Sequence, residues 1–206
     1  MDSLSLLAVL AQILFGGRML SQWLLSEKSK KVVTPLTFWW LSLSGSFVLF
    51  IYGYFRTDFP LMLGQVLGYI IYIRNLQIQK QWKLLPKWSQ FLIIAIPIGI
   101  ITYGWNNGKF DLAALFSKDE MATWLLTLGI VAQILFTLRF VYQWFYAEKN
   151  KEATLPLGFW LFSFTGGLLS LVYFLYRVDY VMVLSYSLGT FIYGRNIYLY
   201  YTSKTA

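Results

Sequence analysis

Residues 12–28, QILFGGRMLSQWLLSEK, return as residues 133–149, QILFTLRFVYQWFYAEK, at an offset of 121. Gln12, Arg18, Gln22, Trp23 and Glu27 thus match Gln133, Arg139, Gln143, Trp144 and Glu148 without a gap. The offset carries on through Pro35 and Pro156, Trp39 and Trp160, Ser42 and Ser163, and Gly45 and Gly166. It continues through Tyr52 and Tyr173, Arg56 and Arg177, Asp58 and Asp179, and Gly68 and Gly189, and ends at Tyr72-Ile73-Arg74-Asn75 and Tyr193-Gly194-Arg195-Asn196. Roughly two positions in five are identical between 12–75 and 133–196, which chance does not produce. The chain therefore contains one unit twice, as a parallel repeat.

Each copy holds three apolar stretches, and a seventh stretch separates the copies. They run over 3–26, 35–55, 59–79, 88–105, 122–147, 156–176 and 180–201, each near the ~20 residues that span a bilayer core. The expected fold is an all-α integral membrane protein of seven transmembrane helices. Residues 1–79 form the first three-helix repeat, 80–121 a linker with the fourth helix, and 122–206 the second repeat. Two three-helix units joined directly would insert in opposite orientations, and one added crossing restores the same orientation to both. The first stretch lacks a basic n-region and a small-residue cleavage site and carries Arg18, so it is read as a helix of the mature protein rather than a signal peptide.

Composition agrees. Of 206 residues 58% are hydrophobic, 20% aromatic and 13% charged, against about a quarter charged in soluble domains. In so apolar a chain the net charge of +8 reads as loop charge that sets topology, and nucleic acid is not an expected partner. With the N-terminus outside, Lys28, Lys30, Lys31, Lys80, Lys83, Lys87, Lys149, Lys151 and Lys204 fall in the cytoplasm, against Arg56, Lys109, Lys118 and Arg177 outside. The positive-inside bias therefore favours an outer N-terminus and a cytoplasmic C-terminus. The absence of Cys excludes disulfides and thiolate metal sites, and the absence of His removes the commonest general base and metal ligand. No catalytic constellation, metal site or cofactor is expected.

Arg18, Arg74, Arg139 and Arg195 lie inside apolar segments, where a charge costs roughly 2.5–3.5 kcal/mol at a helix centre. Arg18 with Gln22, and Arg139 with Gln143, share a helix face at four-residue spacing. Guanidinium binds phosphate or carboxylate in two-pronged fashion, so these residues point to a cationic cavity for an anionic headgroup. The alternative is structural: Arg18 snorkels to the inner interface or pairs with Glu27. Asn75 and Asn196 line the cavity or join helices. Tyr72 and Tyr193 pack, or touch ligand through their hydroxyls. Gln12 and Gln133 bond across helices or bind ligand, since an unpaired amide at their depth is costly.

Trp39, Trp160, Phe38 and Phe159 read as an interfacial aromatic belt, with stacking on a sugar ring as the alternative. Ser42 with Gly45, Gly64 with Gly68, Ser163 with Gly166 and Ser185 with Gly189 read as helix-contact surfaces. Arg56 with Asp58, and Arg177 with Asp179, form tight outer turns in which the acid caps the next helix and pairs with the arginine, or the charges gate the outer side.

The repeated pattern F-W-x-x-S-x-x-G, then Y, then R-x-D, then Y-x-R-N resembles the lipid A biosynthesis N-terminal domain. Phe38-Trp39, Ser42, Gly45, Tyr52, Arg56, Asp58, Tyr72, Arg74 and Asn75 carry it in one copy, over about 10–78, and their mates carry it over about 131–199. That domain precedes some lipid-A-disaccharide synthases, and its superfamily includes the SWEET uniporters, PQ-loop transporters and the KDEL receptor. The resemblance implies a SWEET-like arrangement of three, one and three helices in a bacterial inner membrane. It also implies an anionic partner, either a membrane lipid or a lipid-linked sugar phosphate. Binding, translocation or presentation of a polyprenyl-phosphate or lipid-A-type glycolipid is the expected function. A small-solute or sugar carrier, and an auxiliary subunit of a membrane glycosyltransferase, are the alternatives.

Overall fold

The computed structural model describes residues 3–57, 59–108, 123–178 and 180–205. Every described segment is helix or connecting turn. Among the described residues there are, in chain order, seven α-helices: α1 (Ser3–Ser29), α2 (Leu36–Phe55), α3 (Phe59–Ile78), α4 (Lys87–Asn106), α5 (Thr123–Asn150), α6 (Leu157–Tyr176) and α7 (Tyr180–Thr205), with one 3-10 turn at Trp82–Leu84. Five of them, α1, α2, α4, α5 and α6, contain stretches long and apolar enough to cross a membrane. The apolar surface left exposed on these helices, such as Phe91, Ile94 and Ile98 on α4 or Val131, Ile134 and Leu138 on α5, is what a bilayer rather than water accommodates.

The helix boundaries repeat with the sequence. Pro35 and Pro156 stand in extended conformation before α2 and α6, with φ −69° and −73°. A residue without an N–H is tolerated there because the first turn of a helix leaves its donors unbonded anyway. Each proline carbonyl accepts the N–H three residues on, of Phe38 and of Phe159, both at 3.0 Å. The far ends match too: Lys30 and Lys151, and Thr57 and Val178, all have φ between 54° and 56°. At these positions the chain leaves a helix through the left-handed region without glycine, a strained choice for β-branched Val178.

Contacts divide the chain into two units. One holds Met1–Ser21 with Pro35–Ser117, the other Gln22–Thr34 with Lys118–Ala206. In the first, α2 packs against α3 and also meets α4. Pro97, inside α4, has no N–H for the carbonyl of Ile93, and the Tyr69 hydroxyl of α3 donates to that carbonyl instead at 3.0 Å. In the second, α6 packs against both α5 and α7.

Two expectations are corrected by burial. Trp39, Trp160, Phe38 and Phe159 form no interfacial belt; all four are at most 2% exposed and stand edge to face as Phe38–Trp39 and Phe159–Trp160 pairs in the cores of their units. Helices α2 and α6 are apolar nearly all round, so position along the sequence says nothing about which aromatic rings face inward. Among the small residues, Gly45 does mark a close contact, since a Cβ there would come within 3.0 Å of the Phe15 ring. Gly64 does not: it faces open space.

Candidate functional site

The polar residues of the apolar segments assemble into separate groups, each inside one unit. In the first unit, Arg18 of α1 is 9% exposed, and its Nη1 donates to Ser42 Oγ of α2 at 2.9 Å and to Tyr72 Oη of α3 at 3.0 Å. Ser42 in turn donates to the Phe38 carbonyl one helical turn back, which fixes its lone pairs toward the arginine. The guanidinium carbon lies 4.6 Å from the Phe15 ring centroid, 5.3 Å from Phe38 and 5.8 Å from Tyr72. Trp39 backs Tyr72 at 6.4 Å between ring centroids.

The second unit builds a similar cage from the repeat-related residues and adds Phe140, whose mate is Met19. Arg139 of α5 donates from Nη1 to Ser163 Oγ of α6 and to Tyr193 Oη of α7, both at 3.3 Å. Phe136, Phe140 and Phe159 surround its guanidinium at 4.5, 4.7 and 5.4 Å, and Trp160 backs Tyr193 at 6.3 Å.

The electrostatics of the two cages are alike. Among the described residues neither Arg18 nor Arg139 has a carboxylate within ion-pair distance. Each is held by neutral oxygens and by aromatic faces, whose attraction for a cation is about 0.5–2 kcal/mol per ring. In both arginines Nε is buried with no hydrogen-bond partner. Each guanidinium is thus met by neutral oxygens and rings, with one N–H donor left without an acceptor.

Gln22 parts from Arg18, although the two share a helix face. Its amide is taken up within the second unit by Asn196 of α7: Gln22 Nε2 donates to Asn196 Oδ1 at 2.8 Å, and Asn196 Nδ2 donates back to Gln22 Oε1 at 3.3 Å. Gln22 also donates to Ser26 Oγ at 2.9 Å, and Asn196 to the Ile192 carbonyl at 2.9 Å; both amides are fully buried. One turn on, Glu27 forms a two-pronged ion pair with Arg195, and Trp23 donates to the same carboxylate at 3.1 Å. Glu27 is therefore the partner of Arg195 and not of Arg18. These contacts, with the Leu155 N–H donating to Thr34 Oγ1 at 3.1 Å, tie residues 22–34 into the second unit.

The remaining candidates are placed individually. Arg74 donates to Gln77 on its own helix at 3.1 Å, Asn75 is fully buried and donates to the Ile71 carbonyl at 2.8 Å, and Gln143 donates to the Thr154 carbonyl at 3.1 Å. Gln12 and Gln133 are exposed, apart from either cage. Arg56 is exposed, and Arg177 donates to Tyr173 Oη at 2.9 Å. Asp58 and Asp179, the acidic halves of the expected gate, lie outside the described residues.

Ser42, Ser163, Phe38 and Phe159, which the sequence suggests as packing or belt residues, complete the cages together with Phe15 and Phe136, to which it assigns no role. The available signal was identity at the offset of 121, which all six share with Arg18 and Arg139.

Comparison with known proteins adds the family. The model of the Lipid A Biosynthesis N-terminal domain matches residues 7–77 and again residues 128–198. The chain is 32% identical over 204 residues to a lipid-A-disaccharide synthase of Chlamydia pneumoniae, an alignment covering 96% of the chain and 33% of the relative. It is similar to proteins of the same description in Chlamydia felis, 30% identical over 89% of the chain and 31% of the relative, and in Chlamydia trachomatis serovar D, 32% identical over 90% and 32%. The chain thus spans about a third of the length of these curated relatives. No solved structure matches it.

Proposed function

Since the chain belongs to the Lipid A Biosynthesis N-terminal domain family, we propose that it binds an anionic lipid-A-type or polyprenyl-phosphate-linked glycolipid and presents or translocates it within a bacterial inner membrane. In this reading all seven helices span the bilayer in a SWEET-like arrangement, with the N-terminus outside and the C-terminus cytoplasmic. The observation that carries it is the pair of arginines, Arg18 buried and Arg139 half-buried, each in a neutral cage without a carboxylate among the described residues. A guanidinium kept charged in an apolar setting is suited to a phosphate oxygen, and the apolar helix surfaces suit an acyl or prenyl chain.

Native mass spectrometry of the protein purified from a bacterial membrane tests this. The wild type should retain an anionic glycolipid or lipid phosphate, and the Arg18→Gln/Arg139→Gln double variant should lose it. Retention of the same lipids by both would overturn the reading, and uptake of a neutral sugar into proteoliposomes would replace it with a solute carrier.

A second reading is favoured by one observation, the similarity to relatives described as lipid-A-disaccharide synthases. In it the chain is a non-catalytic auxiliary part that holds a membrane glycosyltransferase near its lipid substrate. Co-purification with such a transferase, lost on truncation of either repeat, is its expected signature.

A further inference from the structure

Each arginine cage is complete inside its own unit. Arg18 draws its oxygens from Ser42 and Tyr72, and Arg139 draws its own from Ser163 and Tyr193, with no residue common to the two sets. Arg18 and its partners all fall in the unit made of Met1–Ser21 and Pro35–Ser117, and Arg139 and its partners fall in the other. The other two arginines inside apolar segments are held differently: Arg195 pairs with Glu27, and Arg74 donates to Gln77. Among the described residues, Arg18 and Arg139 are the arginines that combine neutral partners with a buried Nε lacking a hydrogen-bond partner.

Resting on the reading that these arginines bind anions, we propose that the chain carries two separate anion sites, one per repeat, each taking a single phosphate or phosphate-like headgroup. The incoming oxygen meets the guanidinium at the donors that the serine and tyrosine oxygens, both bound to Nη1, leave unused. The repeat reproduces the same triad of arginine, serine and tyrosine, so each unit supplies one site. Phosphate of a lipid headgroup and free phosphate share this chemistry, and the acyl chain decides between them by the apolar surface it covers.

Titration of the full chain in neutral maltoside micelles, followed by native mass spectrometry, counts the sites with dodecyl phosphate and inorganic phosphate as separate probes. The expected result is two dodecyl phosphates per wild-type chain, one for Arg18→Gln, one for Arg139→Gln and none for the double variant. Weaker binding of inorganic phosphate at the same stoichiometry assigns the sites to lipid headgroups, whereas equal binding of both assigns them to free phosphate. A single bound probe that disappears in either single variant would overturn the two-site proposal and leave the glycolipid reading standing. No binding by the wild type, or two probes retained by the double variant, would overturn both. Arg18→Lys and Arg139→Lys guard against misfolding: each keeps the charge and a donor for the serine and tyrosine. Each should weaken one of the two sites roughly tenfold while the other stays at its wild-type affinity.

Discussion

Gln22 and Asn196 stand 174 residues apart in the chain and close a reciprocal pair of amide hydrogen bonds, with no exposure at either residue. The pair joins the end of the first helix to the last helix, beside the Glu27 and Arg195 ion pair. An amide buried without its partner loses solvation with nothing in return, so the two residues act as one element.

Replacing Gln22 or Asn196 alone by Leu should therefore destabilise the protein by about 1–2 kcal/mol. The double variant should cost less than the sum, by a coupling of roughly 0.6–1.7 kcal/mol. Unfolding in detergent mixtures measures all three. A strictly additive double variant would mean that the pair contributes nothing to stability.

Tyr69 and Pro97 make a second cycle. Tyr69→Phe removes the donor to the Ile93 carbonyl and should cost about 1 kcal/mol. In a Pro97→Ala background the helix supplies its own N–H to that carbonyl, and the same substitution should cost close to nothing. Equal losses in both backgrounds would show that the hydroxyl acts elsewhere.

Burial separates the tryptophans. Trp39→Ala and Trp160→Ala empty fully buried sites and should each cost about 3–5 kcal/mol in a thermal melt. Trp88→Ala, at a position 68% exposed, should cost under about 1 kcal/mol. Comparable small losses at all three would restore the belt reading for Trp39 and Trp160.

Gly45→Ala should lower stability by about 1–3 kcal/mol, because the new methyl would lie 3.0 Å from the Phe15 ring that covers Arg18. Gly64→Ala, facing open space, should be neutral or stabilising by up to about 1 kcal/mol through helix propensity. The same melts decide it, and a Gly64→Ala loss as large as that of Gly45→Ala would count against the contact.

Much of the architecture was readable before any coordinates, for definite reasons. Runs of about 20 apolar residues have one good solution in a bilayer, and the helices at Leu36–Phe55 and Leu157–Tyr176 begin where their prolines indicate. The offset of 121 paired Arg18 with Arg139 and Tyr72 with Tyr193, and each of those four residues lies in a cage. Trp39 was misread because α2 has no polar face to show which side turns inward.

From the sequence alone come seven helical segments, a duplicated unit and four arginines in costly positions, because length, apolarity and repetition are local properties of the chain. Which arginine meets which oxygen is not local. Arg18 turns to Ser42 and Tyr72 while Gln22, one turn away, turns to Asn196, each within its own unit. Only packing decides that division, because a polar group in an apolar setting takes whichever partner the neighbouring helices bring within about 3 Å, and residues 24 to 174 positions apart compete equally for it.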